Sequence, residues 1–178
     1  ALASPDVAVD ALFRKAGIVR CYGREELCTV GNIFTYPEFE GKNIAIITHA
    51  GGPAVMLTDA LSKAGMNIPH IEGEMADELL GKLFAGSAVG NPIDFLATGT
   101  PEQLGTIIDY CDTKFDNIDA MCVIFGTPGL APIYEAYRVL SEKMKTSKKP
   151  IFPILPSTLV AGDEVKEFVE MGNTYFAD

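Results

Sequence analysis

The run NIAIITHAGGPAVMLTDAL, residues 43–61, decides the fold. Its opening, NIAIIT (43–48), is apolar almost without a break and rich in isoleucine. That is the pattern of a strand covered on both faces, since a half-exposed strand alternates apolar with polar residues. The run breaks at HAGGP (49–53) and resumes as PAVMLTDALSKA, where apolar residues recur at helical spacing. A fully buried strand, a glycine turn and a helix make the first half of a βαβ unit, the connection that parallel strands require.

Downstream the pattern repeats. Strands are expected at MNIPHI (66–71), PIDFL (92–96), AMCVIF (120–125), PIFPIL (150–155) and TYF (174–176). Helices fit between them at ADELLGKLF, PEQLGTIIDYCDTK, APIYEAYRVLSEKMK and DEVKEFVEM. Alternating apolar strands and helices predict an α/β fold, a flavodoxin-like doubly wound parallel sheet over residues 41–178. Upstream, SPDVAVDALFRKAG reads as a helix with Ser4 as N-cap, Pro5 at its first position, an apolar stripe of Val7, Ala8, Ala11 and Leu12, and Gly17 at its stop. IVRCY reads as a short strand, REELCTVGNIF as a second helix and TYPEFEGK as a linker. These elements cannot form a layered core by themselves, so residues 1–40 are expected to be the tail of a preceding α/β domain.

Composition narrows the function. The 178 residues are 48% apolar, enough to build a core, yet charges, Gly or Pro interrupt every run before the roughly 20 residues of a membrane helix. A net charge of −10 argues against nucleic acid or an anionic membrane, which call for clustered Lys and Arg. The basic run KMKTSKK (143–149) suits a helix C-terminus, where cations meet free carbonyls. Cys21, Cys28, Cys111 and Cys122 show no C-x-x-C spacing and read as reduced side chains of a cytoplasmic protein, and two distant histidines predict no metal site. The start ALASPDVAVD has no initiator Met and no signal-peptide pattern, so the chain is expected to be cut from a longer one.

In a doubly wound sheet ligands gather where the chain leaves the strands, and three such loops are rich in small residues. In THAGGPAVM, Gly51 and Gly52 allow unusual backbone conformations and close approach to main-chain N–H groups, and Pro53 suits a first helical turn. The helix start offers free N–H groups and about half a positive charge to an anion. No Walker motif and no G-x-G-x-x-G is present. On the residues alone this loop is equally a tight strand-to-helix turn and an anion cradle. In GNPIDFLATGTPEQ, Asn91-Pro92 predicts an extended approach to the strand carrying Asp94, then Thr98 and Gly99, with Thr100 as N-cap and Pro101 behind it. FGTPGLAP, with Gly126 and Thr127, follows the fourth strand of the domain. His70, beside Pro69, is expected to be structural. His49 lies at the mouth of the first loop, where a helix N-terminus disfavours an imidazolium, so it is not taken as the catalytic base.

These residues resemble the NDP-forming acyl-CoA synthetases, the superfamily of ADP-forming acetyl-CoA synthetase and succinyl-CoA synthetase. ALASPDVAVDALFRKAGIVR is similar to the end of their second domain, IAIITHAGGPAVMLTDAL to the strand, glycine loop and helix that open the next one, and GNPIDFLATGTPEQ to its NP-[VI]-D segment. The resemblance implies an acid–CoA ligase that interconverts acyl-CoA, NDP and phosphate with acid, CoA and NTP through a phosphohistidine. That histidine belongs to a motif like SHTGALAG and is expected upstream of Ala1, so no catalytic residue and no metal ligand is expected here. It further implies that the backbone at Ala50, Gly51, Gly52 and Ala54 binds the phosphohistidine, with His49, Asn91, Asp94, Thr98, Gly99, Thr100, Gly126 and Thr127 lining the same face. CoA, ATP or ADP, and Mg are expected for the full enzyme and none for this chain. The implied partners are a CoA-binding Rossmann domain, an ATP-grasp domain or subunit, and phosphate, in an oligomeric full enzyme. A regulatory ligand-sensing module fused to an acetyltransferase is the alternative. A plain flavin-binding domain is disfavoured because no loop offers an aromatic sandwich.

Overall fold

A computed structural model describes residues 5–126, 133–156, 158–159 and 161–177. The chain divides into two units, Ala1–Tyr36 and Pro37–Asp178. The first holds helices α1 (Asp6–Lys15) and α2 (Arg24–Ile33), neither of which buries a residue. Pro5 occupies the N-cap rather than the first helical position, and Ser4 lies outside the described residues. Gly17 follows the C-cap at φ 68°, the left-handed turn that glycine makes without a Cβ clash. IVRCY (18–22) is not a strand. A strand exists only as one side of a ladder, and the described part of this unit offers no second extended segment.

The second unit runs β1 (Ile44–Thr48), α3 (Gly51–Lys63), α4 (Glu74–Leu80), β2 (Ile93–Asp94), α5 (Pro101–Thr113), β3 (Ala120–Ile124), α6 (Tyr134–Thr146), β4 (Ile151–Leu155), α7 (Gly162–Glu170) and β5 (Phe176–Ala177). All five strands pair in parallel in the order β2-β1-β3-β4-β5. β1 and β3 are buried along their whole length, as strands with helices on both faces must be. Their side chains divide by alternation. Ala45, Ile47, Met121 and Val123 join the large core that includes Leu104, Ile108, Tyr137, Leu140 and Phe168 of α5, α6 and α7. Ile46 and Ile124 pack on the opposite side with Ala54, Leu57 and Leu61 of α3. The expected doubly wound α/β sheet is therefore present.

Two local expectations fail for identifiable reasons. MNIPHI (66–71) forms only an isolated bridge, Asn67 to Asn43, and no strand. Pro69 has no N–H to give a ladder, and the Asn91 side chain stands in for one. The Ile46 N–H donates to Asn91 Oδ1 at 2.9 Å, while Asn91 Nδ2 donates to Ile44 O at 2.9 Å and to Pro69 O at 3.0 Å. The approach to β2 is also not extended: Asn91 has φ 68° and its bond to Pro92 is cis. β1 is anchored at its start by Asp119, whose Oδ2 accepts the Lys42 N–H at 2.9 Å and the Asn43 N–H at 2.8 Å. Gly41, at φ 110°, makes room for that carboxylate, since a Cβ there would lie 2.1 Å from Oδ2.

The basic run behaves as helix-end chemistry. Lys143 and Lys145 fall in the last turn of α6, Lys145 Nζ donates to Met171 O, and Lys149 Nζ donates to Cys111 O and Phe115 O at the end of α5. Cys111 and Cys122 are buried, and burial pushes each thiol up to about 12. Among the described residues no helix is long and apolar enough to cross a membrane.

Candidate functional site at the carboxyl edge of the sheet

The strand order changes direction between β1 and β3: the chain leaves β1 toward β2 on one side and leaves β3 toward β4 on the other. At such a switch point two loops part and leave a crevice beyond the strand ends. Register fixes what meets there, because Thr48 pairs with Asp94 on one side and Ile124 on the other. His49 and Ala50 continue from β1, Phe95 from β2, and Phe125 and Gly126 from β3.

Thr48, fully buried, shapes the turn. Its hydroxyl accepts the Ala50 N–H and donates to Ala50 O, each at 2.9 Å. Ala50 is thereby held extended as the N-cap of α3, at φ −140° and ψ 105°. α3 begins at Gly51, two residues before the expected start, so Pro53 sits third in the helix. A helix leaves the N–H groups of its N-cap and first three residues outside its own ladder. Ala50's is engaged by Thr48 and Pro53 has none, which leaves Gly51 and Gly52, with no side chain capping either. The Ala54 amide falls within the ladder and its methyl is in the core.

The two glycines act through space rather than through unusual conformation, since neither has a positive φ. A Cβ on Gly51 would lie 3.3 Å from Asp94 Oδ2, whereas one on Gly52 would meet nothing within 4 Å. The helix start is thus flanked by one carboxylate and otherwise open above Gly52. Gly126 is buried, and a Cβ there would come to 3.0 Å from the Ala50 Cβ, so small residues let the first and third loops approach.

His49 lies edge-on to Phe125, with centroids 5.0 Å apart, and 6.4 Å from the Phe95 ring. Burial holds its imidazole below the ordinary value, with the nearby Asp94 carboxylate opposing. Asp94 Oδ1 accepts the Leu96 N–H at 2.9 Å, and Leu96 adopts φ 68°, a conformation rarely adopted by a branched side chain.

The other candidates separate. The Asn91 amide is engaged by β1 and Pro69, as described. Thr100 caps α5, its hydroxyl accepting the Gln103 N–H while the Gln103 side chain accepts the Thr100 N–H. Gly99 is fixed by packing, for a Cβ would fall 2.2 Å from a Phe95 ring carbon and 2.3 Å from the Phe95 carbonyl oxygen. Thr98 is exposed in the same loop, and Thr127 lies outside the described residues. His70 packs its ring over Gly90, where a Cβ would stand 2.8 Å from the ring. The sequence did not reveal Thr48, Phe95 and Phe125 as site residues. Their only signal was position, each at or just beyond a strand end. Among the described residues no group of three His, Cys, Asp or Glu could hold a metal ion.

Comparison with known proteins gives a consistent picture. No family model matches the chain. The alpha subunit of acetate–CoA ligase (ADP-forming) II from Pyrococcus furiosus is 27% identical over 164 residues, covering 90% of this chain and 36% of that protein. The alpha subunit of acetate–CoA ligase (ADP-forming) I from the same organism is 30% identical over 187 residues, covering 97% of this chain and 37% of its own length. A solved structure from Pyrococcus horikoshii superposes with a TM-score of 0.84 over 98% of this chain and 41% of that one, at 24% identity, and shows the same fold. The chain spans little more than a third of the length of these two alpha subunits.

Proposed function

We infer that this chain, homologous over nearly its whole length to the alpha subunits of ADP-forming acetate–CoA ligases, supplies such a ligase with a domain that receives a phosphoryl group at the start of α3. In this reading the group arrives on a phosphohistidine, carried by a part of the enzyme outside residues 1–178. CoA, nucleotide and Mg are handled by a CoA-binding domain and an ATP-grasp domain or subunit. The acid substrate and the ligation chemistry belong to that larger enzyme, and the chain alone has no synthetase activity.

The observation that carries the reading is the pair of uncapped amides at Gly51 and Gly52, standing at the switch point with open space above Gly52. Two parallel N–H donors at a helix start match two oxygens of a phosphoryl group, and the macrodipole adds to them. Charge-assisted hydrogen bonds contribute about 1.5–3 kcal/mol each and the dipole up to about 1 kcal/mol more. Set against the cost of association, that total holds free phosphate no more tightly than the millimolar level. A phosphoryl group tethered to a protein loop needs no tighter grip, because tethering raises its effective concentration to millimolar.

The test is a titration of the full chain with inorganic phosphate at about pH 7.5, where the dianion prevails, following backbone amide signals. The Gly51 and Gly52 amides are expected to shift together with a midpoint in the millimolar range. An unchanged spectrum at those two residues under tens of millimolar phosphate would sink the reading.

A further inference from the structure

The seam between α6 and the start of α7 carries a polar group that no described residue satisfies. Tyr137, in the first turns of α6, is fully buried, and its hydroxyl has no hydrogen-bond partner. Buried hydroxyls are costly to leave unpaired, and native proteins pair nearly all of them with protein groups or ordered water. The same seam shows the usual solution one turn further on. There the buried Ser141 hydroxyl accepts from Asn173 Nδ2 at 2.8 Å, and the same amide donates to Phe168 O at 2.9 Å. Thr48 and Gln103, the other buried polar side chains among the described residues, are bonded as well. Ser87 Oγ, the second unpaired oxygen, belongs to a residue that is itself partly exposed.

The rings around Tyr137 fix where its hydroxyl stands. Phe125, just beyond β3, and Phe168 of α7 meet the Tyr137 ring edge-on, with centroids 5.2 and 5.7 Å away. Ala161 and Val165, from the start of α7, belong to the same buried cluster. The charged group acting on the hydroxyl is the Glu164 carboxylate, in the first turn of α7. At this helix start the N-cap, Ala161, is 1% exposed and has no side chain that could cap, so the first N–H groups lack a partner within the helix. Two unmet hydrogen-bonding demands thus share one cluster, a hydroxyl on α6 and the amides that open α7.

We propose that one internal water molecule is bound between Tyr137 and the start of α7, accepting from the Tyr137 hydroxyl and from a first-turn N–H and donating to the Glu164 carboxylate. Three polar partners are what a buried water ordinarily has. Burial, and after it the Glu164 carboxylate and Tyr175, push the proton affinity of the phenol up, so the hydroxyl stays protonated and is available as a donor. Through that water α6 and α7, the helices that follow β3 and β4, are tied together at the carboxyl edge. The inference is independent of what the α3 start binds.

Tyr137→Phe removes the hydroxyl and keeps the ring. Solvent oxygen-17 relaxation dispersion, whose amplitude scales with the number of long-lived internal waters, is measured on the full chain and on this variant. The amplitude is expected to fall by the equivalent of about one water per chain. Urea denaturation is expected to show a folded-to-unfolded ratio lower by roughly two- to tenfold, the worth of an ordinary buried hydrogen bond. An equal amplitude in the two chains overturns the inference, whatever happens to stability. So does a variant as stable as the parent or more stable, because deleting an unpaired hydroxyl relieves the fold. Glu164→Ala, at a partly exposed position, removes the acceptor and is expected to lower the same amplitude, and an amplitude equal to the parent's overturns the bridge. A parent chain with no dispersion at all overturns the proposal without any variant.

Discussion

Gly52 and Gly99 are the same residue type and meet opposite demands. Space above Gly52 is open and its backbone is helical, so the fold asks nothing of it. Gly99 is packed against the ring and carbonyl of Phe95, and a carbonyl cannot step aside. Gly99→Ala is therefore expected to cost at least about 2 kcal/mol of stability, the scale of an overpacked core. Gly52→Val is expected to stay within about 1 kcal/mol of the parent, the scale of helix propensity, while abolishing the phosphate response of the Gly51 and Gly52 amides. Urea denaturation reads the first effect and amide titration the second. A Gly52→Val chain that binds phosphate with the parent's affinity would show that the open space has no bearing on the site.

Among the elements, β1 depends on a side chain from outside any helix or strand. Asn91 closes the edge of β1 that a sixth strand would otherwise cover, satisfying the Ile46 N–H and the Ile44 carbonyl. Asn91→Ala leaves that buried donor and acceptor unpaired, at about 1–3 kcal/mol each, so a loss of roughly 2–6 kcal/mol in unfolding free energy is expected from urea denaturation. A loss below about 0.5 kcal/mol would mean that the bracket is dispensable. This substitution also marks where the sequence could and could not be read. IAIIT, AMCVI and IFPIL are unbroken apolar runs, and each became a buried strand because nothing but a covered sheet accommodates them. Thr100, Pro101 and Gln103 spelled out a capped helix start in local code. MNIPHI and IVRCY read equally well as strands, yet strand formation depends on a partner far away in sequence, which no local pattern reports. The glycine loop was legible as a break at the sheet edge. That its glycines serve space, that Thr48 takes the Ala50 amide, and that two phenyl rings hold His49 are consequences of register between β1, β2 and β3, visible only in three dimensions.

The whole molecule carries its stability unevenly. In the unit Ala1–Tyr36 neither helix buries a residue, and Val7, Leu12, Val19, Tyr22, Leu27 and Phe34 are each more than half exposed. Arg20 is paired there with Asp6 and Asp10, a surface arrangement that contributes little. Helices of 10 residues without a buried face are marginal in water. Native-state hydrogen exchange is therefore expected to show amides of α1 and α2 within about a hundredfold of unstructured rates. Those of β1 and β3 should be protected by more than about ten thousandfold, near the global limit. Equal protection in the two units would contradict this division of stability.

The anchoring of β1 by Asp119 has a consequence in time. The staple joins Asn43 to a residue 76 positions later, and β1 finds its first long partner only in β3. A ribosome delivers residues in order, at roughly 5–20 per second. For several seconds or more an apolar strand of the nascent chain has emerged while the strand that will flank it has yet to be made. Until then IAIIT is an unpaired, uncharged segment with high β-propensity, the kind that binds chaperones or other nascent chains. Placing the first strand of the domain inside the sheet, between two strands made later, sets the crevice beside it and also leaves that strand exposed longest before the domain folds.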